Sequence, residues 1–289
     1  MIRKKLSIVL SLLFSLILSD SAGAGDDDPE HNVGIAGFSL TVADEGKLRT
    51  LNYTVSRTGD AVFEGDIILG NAFVLQGAQQ QDTRPLGLSD LSLYGLFRRG
   101  NFLWPEGEVS YVIDDQLPDK NRITNAIAHW EARTQIKFKK RVGSNRNYVL
   151  FVRDSYGGCS SSIGMIGGAQ RINLGDSCKV GNTIHEIGHA LGLGHEQCRS
   201  DRDKYVTVHF ENIKSSALGN FQTNPTKYKD IENYDYGSIM HYGKDAFSKN
   251  NKPTIVASGG RAIGQRNKLS DDDIATIGEM YKGEVSKRK

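Results

Sequence analysis

The stretch His185-Glu186-Ile187-Gly188-His189-Ala190-Leu191-Gly192-Leu193-Gly194-His195 decides how the rest of the chain is read. His185 and His189 are four positions apart, so a helix stacks both imidazoles on one face and aims them at one point. That is half a zinc site. Glu186 sits one step round the helix, where its carboxylate can reach a water on the metal without being a ligand. Gly192 falls where the chain must leave the helix and turn back, a geometry that glycine adopts at no steric cost. The turn returns His195 to the same point as a third ligand. Three imidazoles and one open position describe a catalytic zinc site, because a structural site closes the fourth position with another protein ligand. A bare H-E-x-x-H also arises by chance on surface helices. The glycine and third histidine at fixed spacing make the reading specific.

The 289 residues leave room for one domain of ordinary catalytic size plus something extra. Hydrophobic content of 38% is compatible with a sizeable core, and charged content of 24% is ordinary. A net charge of +2, with no basic stripe interleaved with aromatics, gives no argument for a nucleic-acid partner. Residues 1–24 read as a signal peptide. Arg3, Lys4 and Lys5 form a positive start, Leu6 to Leu18 is an apolar run too short for a comfortable membrane span, and Ala22-Gly23-Ala24 is a small-residue cleavage site. The expected destination is extracytoplasmic, secreted or periplasmic. No other stretch is long enough to span a membrane, so no membrane contact beyond the leader is expected.

From residue 25 to 99 the pattern differs from that of the catalytic body. An acidic opening (Asp26, Asp27, Asp28) precedes alternating apolar positions at Phe38, Leu40 and Val42 and again at Leu51, Tyr53 and Val55, which predict short extended pieces. The segment is too loosely patterned to read as an independent domain. Gln76 to Arg84 has no apolar period and reads as an exposed, cleavable linker. The catalytic body, 100–283, opens at Leu103-Trp104-Pro105, followed by a strand over Val109–Ile113 and a helix with Ile123, Ala126, Ile127 and Trp130 at helical spacing. His129 on that helix has no metal-spaced partner and is expected at the surface. Ile136–Phe138, Tyr148–Val152 and Arg171–Leu174 predict further strands. After His195 the pattern is irregular until Ser270, which with Asp273 forms a capping box for a last helix ending near Lys282. Residues 284–289 are expected to be a tail, with Lys287-Arg288-Lys289 a solvated terminus. Strands and helices in one lobe indicate an α+β fold.

With Glu196 directly after the third histidine and Ser238-Ile239-Met240-His241-Tyr242 downstream, the chain resembles the astacin-type zinc metallopeptidases of the metzincin clan. The resemblance runs from about Trp104 to Tyr281. It includes LWPEGEVSYVID, HEQCRSDRD, YDYGSIMHY and IGQRNKLSDDDI in that order. It implies an N-terminal lobe with a twisted mixed sheet and helices, the active-site helix, and an irregular C-terminal lobe ending in a helix. It also implies one Zn2+ per chain and hydrolysis of peptide bonds in protein or peptide substrates. Glu186 would act as general base, Tyr242 as a phenol that ligates zinc at rest and donates to the oxyanion during catalysis, and Met240 as a hydrophobic base under the metal. His241 is not expected to be a ligand.

Phe63-Glu64-Gly65-Asp66 resembles the short family motif whose aspartate binds the zinc of the proenzyme, which implies a propeptide over 25–99 with Asp66 as the latency switch. A carboxylate suits zinc, and Gly65 lets the backbone approach closely. Activation then needs a cut between Arg84 and Asn101, made by another protease or by the enzyme itself. Arg98-Arg99 suits a trypsin-like activator, but a cut there leaves only Gly100 to Leu103 ahead of Trp104. In many family members the new amino terminus folds inward to pair with the residue matching Glu196, so a cut upstream of Arg98 is expected. By the same resemblance Cys159 and Cys178 form a disulfide, which the oxidising compartment permits. The family's second bridge falls at Gln135 and Gly283, so both of its cysteines are missing together. Cys198 stays outside these pairs, as a buried small hydrophobe, a reactive thiol or an intermolecular partner. The alternative to a protease is a zinc-retaining binding protein, which would need neither Glu186 nor Tyr242. Substrate preference is not readable from the sequence.

Overall fold

A mixed sheet of ten strands organises the computed structural model, which describes residues 37–44, 47–81, 86–87, 102–223 and 230–288. The leader, the acidic opening and Arg98-Arg99 lie outside the described residues. In the body, β6 (Glu108–Ile113), β7 (Lys137–Lys140), β8 (Tyr148–Arg153) and β10 (Ala169–Leu174) are mutually parallel, with α2 (Asn121–Arg133) crossing between β6 and β7. The short β9 (Cys159–Ser161) runs antiparallel to β10. The ligand helix α3 (Val180–Leu191) follows, then an irregular lobe and a last helix α4 (Asp271–Val285). The architecture is α+β as expected. The irregular lobe also holds one small antiparallel pair that hydrophobic patterning missed, β11 (Val206–Val208) with β12 (Ile255–Ala257).

The segment ahead of the body is more ordered than its pattern suggests. Strands β1 (Gly37–Asp44), β2 (Lys47–Val55), β3 (Asp60–Phe63) and β4 (Ile67–Asn71) pair antiparallel in succession, and β5 (Leu86–Gly87) adds to β1. Strand β4 then meets the body's β9 at Ile67 and Ser161, with Ser161 N–H donating to the Asp66 carbonyl at 2.9 Å. Leu51, Tyr53, Phe63, Ile67, Leu69 and Leu75 bury one another, and Ile163 of the body completes the cluster. This segment therefore joins the body's sheet, and part of its core comes from the body.

Gln76–Arg84, expected to be a linker, is corrected in its first part, because Gln76–Gln81 are the later turns of α1 (Ala72–Gln81). Asn71 caps this helix, its Oδ1 accepting from Phe73 and Val74 N–H at 3.0 and 3.2 Å. Among its described side chains, Leu75 and Ala72 are buried while Phe73 and Val74 face solvent, so its first turn anchors through two apolar positions.

Aromatic donors hold α3 in place. Trp130 Nε1 donates to Ile184 O at 3.1 Å, Trp104 Nε1 to Ala190 O at 2.8 Å and the Tyr281 hydroxyl to Leu191 O at 2.9 Å. The last two satisfy carbonyls that a helix end leaves without intrahelical partners. At the other end the buried Arg122 donates to Gly175 O and Cys178 O, each at 2.5 Å, fixing the approach to the helix. The Cys159–Cys178 disulfide ties the same approach to β9. Where the second family bridge is missing, Gln135 Nε2 donates to Ile277 O and Gly278 O of α4 at 3.3 and 3.4 Å. His129, expected at the surface, is half-buried and accepts from Leu269 N–H at 3.1 Å.

The capping box at Ser270 and Asp273 forms as expected. Asp273 does more than cap, because its carboxylate also accepts from Ser238 Oγ at 2.7 Å and Ile239 N–H at 2.9 Å. Replacing Asp273 with alanine removes a cap and strands buried donors, so denaturant unfolding should show a loss on the order of 3 kcal/mol. Ser270→Ala should lose only about 1 kcal/mol. Equal losses in the two variants would confine Asp273 to capping.

Candidate metal centre

Helix α3 presents His185 and His189 one turn apart, and at Gly192 the backbone reverses with φ of 111°. A Cβ there would lie 2.9 Å from the Phe102 ring, so both conformation and space select glycine. The reversal brings His195 back, and the three imidazoles and Asp66 place one donor atom each within 4.8 Å of one another, all buried. The Nε2 atoms of His185 and His195 lie 3.2 Å from Asp66 Oδ2, and His189 Nε2 lies 3.5 Å from Asp66 Oδ1.

The outer ring nitrogens fix how the imidazoles face. His185 Nδ1–H donates to Ile239 O and His189 Nδ1–H to Leu193 O, both at 2.8 Å. Each Nε2 therefore turns its lone pair to the centre. His195 Nδ1 lies 3.1 Å from Glu64 Oε2, so the third ring takes its outer partner from the segment ahead of the body.

These residues fit zinc. Four N and O donors are the usual set for a tetrahedral ion, and bonds of 2.0–2.1 Å imply donor separations of about 3.3 Å. The observed Asp66-to-histidine spacings of 3.2 and 3.5 Å bracket that value. Among the described residues Asp66 Oδ1 and His189 Nε2 have no hydrogen-bond partner although both are buried, as expected of atoms facing a shared cation. Burial opposes ionisation of Asp66, but the charges of His195 and His189 and the histidine hydrogen bonds overcome it and hold the carboxyl well below its ordinary range. Burial likewise opposes a charge on His195, and Asp66 and Glu64 outweigh it, raising the imidazole to about 9. A metal ion would take the place of that proton.

Around the centre, Glu186 lies between the two helix ligands and is fully buried. Met240 packs under α3, its sulfur lying 2.7 Å from where a Cβ on Gly188 would sit. The Tyr242 ring stands 4.7 Å from that of His195, and its hydroxyl donates to the Glu64 carbonyl. Gly65 passes between Tyr242 and Phe247 with φ of 83°, and a Cβ there would come within 2.9 Å of the Tyr242 hydroxyl and 2.7 Å of the Phe247 ring. His241 uses both ring nitrogens elsewhere, Nδ1–H donating to Tyr242 O and Nε2 accepting from the Tyr234 hydroxyl, and burial lowers it to about 4. Cys198 is buried outside the disulfide, its Sγ 3.4 Å from Asn220 O.

The structure thus gathers His185, His189, His195, Glu186, Met240, Tyr242 and Asp66 about one point. Sequence reading missed Glu64, whose only signal was a second carboxylate across Gly65, and Gln197, whose Oε1 accepts from Tyr242 N–H at 3.0 Å. Next to the centre Glu196 accepts from Asp235 N–H at 2.7 Å, and burial pushes its carboxyl up to about 8. Glu196 lines a cavity of about 520 Å³ together with Phe102, Met240 and Met280.

A helix-borne H-E-x-x-H, a glycine reversal and a third histidine at one centre define a zinc metallopeptidase. The chain belongs to the astacin peptidase family, whose model, described as Astacin, matches residues 97–282. Among similar proteins, Zinc metalloproteinase nas-14 of Caenorhabditis elegans is 39% identical over 193 residues, covering 64% of this chain and 38% of that protein. Zinc metalloproteinase nas-4 of the same organism is 36% identical over 228 residues, covering 75% of this chain and 68% of that protein. High choriolytic enzyme 1, a hatching enzyme zinc-protease from Oryzias latipes, superposes with a TM-score of 0.57 at 34% identity, covering 64% of this chain and 92% of that one. The chain spans less than half the length of several relatives it matches.

Purified protein should carry about one zinc per chain by elemental analysis, and His189→Ala should lose it on dialysis. Full retention by that variant would place the metal elsewhere.

Proposed function

We propose that this chain is an exported zinc-dependent endopeptidase, made as a zymogen that Asp66 keeps latent, acting on protein or peptide substrates. The observation that supports this reading is the convergence of Asp66 on three helix-and-turn histidines, where a carboxylate would occupy the position a catalytic zinc leaves open. When bound, zinc lowers the pKa of a water to about 7 and polarises a carbonyl. Glu186 takes the proton of the attacking water and passes it to the departing amine. Tyr242, whose hydroxyl is engaged by the Glu64 carbonyl while the prosegment is in place, becomes able to donate to the oxyanion once that segment leaves.

Latency by one carboxylate is physically adequate, because tethering gives Asp66 a high effective concentration that a cut removes. The docking is wider than one contact: Asp60 pairs with Arg171 of β10 at 2.5 Å, and β4 covers the free edge of β9. Cutting falls to another protease or to the enzyme itself, upstream of Arg98. The placement of Glu196 beside a cavity that Phe102 and Leu103 also line, with Arg199 Nε 3.5 Å from its carboxylate, supports a site for the ammonium of the new amino terminus. Export rests on the leader read in residues 1–24. No helix among the described residues is long and apolar enough to cross a membrane. A zinc-retaining binding protein is disfavoured by the presence of Glu186 and Tyr242 at the centre.

Glu186→Gln keeps the size of the side chain and removes the base, so processed enzyme should lose roughly 10²–10⁴-fold in peptide hydrolysis while its zinc stays near one per chain. Undiminished cleavage would remove Glu186 from the mechanism. In the uncut chain, Asp66→Ala should raise peptidase activity, whereas enzyme processed from it should match the parent. An uncut variant as silent as the parent would remove Asp66 from latency.

A further inference from the structure

Residues 64–66 form one tight turn, with Glu64 at φ 48° and Gly65 at φ 83°, and this turn aims two carboxylates at opposite sides of a single ring. Asp66 lies 3.2 Å from His195 Nε2 and Glu64 lies 3.1 Å from His195 Nδ1. Glu64 itself is fully buried, and its backbone carbonyl accepts the Tyr242 hydroxyl, so its side chain enters the site at a fixed place. The three ligands differ in this respect. His185 and His189 lean on carbonyls of the body, at Ile239 and Leu193, that stay when the prosegment is cut away. For His195, among the described residues, the outer acceptor is the Glu64 carboxylate. A carboxylate on the far nitrogen makes an imidazole a stronger metal donor and fixes its ring plane, and loss of such a partner typically lowers metal affinity about 10–100-fold.

We propose that Glu64 is a metal-positioning residue lent by the prosegment: it orients His195 and strengthens its bond to zinc, so that the uncut chain acquires and holds the ion better than the processed enzyme does. Asp66 blocks the metal and Glu64 helps to seat it. The proposal rests on the zymogen reading only in that the prosegment is assumed to leave on activation.

The test is the rate of zinc release from the uncut chain into a chromogenic chelator, for the parent, Glu64→Gln, Glu64→Ala and Asp66→Ala. Both Glu64 variants should release zinc about 10–100-fold faster than the parent, with the glutamine variant, which keeps an oxygen acceptor without the charge, the milder of the two. Uncut Glu64→Gln should remain silent as a peptidase, because Asp66 is still in place. If Glu64 merely glued the prosegment down, uncut Glu64→Gln would show peptidase activity in zinc-replete buffer without chelator, and that outcome would overturn the proposal. Release at the parent's rate from both Glu64 variants would also overturn it. Enzymes processed from the parent and from Glu64→Gln share one sequence, so equal release from these two, faster than from the uncut parent, is the expected reference. Should the alanine variant fail to fold, the glutamine variant carries the test alone. Activity of uncut Asp66→Ala reads the latency separately: a silent variant would refute Asp66 as the switch and leave the Glu64 result standing by its own release rates.

Discussion

The backbone reversal at Gly192 sets the position of the third histidine, and with it completes the metal centre. With φ of 111° it ends α3 and sends the chain back across its own last turn, so that His195 faces the two ligands already stacked on the helix. A Cβ at that position would strain the left-handed conformation and press on the Phe102 ring at 2.9 Å. The two imidazoles on the helix need only a helix; the third needs this turn. The position of Glu196, and with it the cavity beside Met240, is inherited from the same reversal.

A rigid centre also requires that the helix not slide. Three elements distant in sequence hold it, Trp130 from α2, Trp104 from the start of the body and Tyr281 from α4, each through a hydrogen bond to a helix carbonyl. Arg122 and the Cys159–Cys178 bridge fix the approach. Asp273 links α4 to the turn carrying Met240, so the floor of the site is tied to the last helix. Buried polar groups of this kind favour a single arrangement, although Arg122 Nε has no hydrogen-bond partner among the described residues. The network spans both lobes.

Much of this was legible in the sequence where function forces a fixed spacing. The three histidines, Glu186, Met240 and Tyr242 occupy local motifs, and β6, β7, β8, β10 and the cap at Ser270 follow from periodicity and hydrogen-bonding chemistry, whereas the short β9, β11 and β12 do not. What escaped is long-range. Glu64 acquires its role only because a turn places it across from His195, 131 positions away. Arg122 looks like an ordinary charge on an amphipathic helix until the carbonyls of Gly175 and Cys178 surround it. The glutamines of α1 hid a helix because its described burial falls at Ala72 and Leu75, ahead of them, and the pairing of β4 with β9 depends on a partner that no local pattern names.

Strand β9 has a further consequence. In the order β5-β1-β2-β3-β4-β9-β10-β8-β6-β7 it sits in the middle of the sheet, with β4 on one side and β10 on the other. Were β1 to β4 removed, β9 would become a boundary, with backbone groups turned outward beside the histidines. Such a boundary accepts an extended polypeptide by main-chain hydrogen bonding, and it equally invites unwanted association between molecules. The segment ahead of the body therefore also covers adhesive backbone. Since β9 is only three residues long and its Cys159 is bridged to Cys178, the surface laid bare would be small.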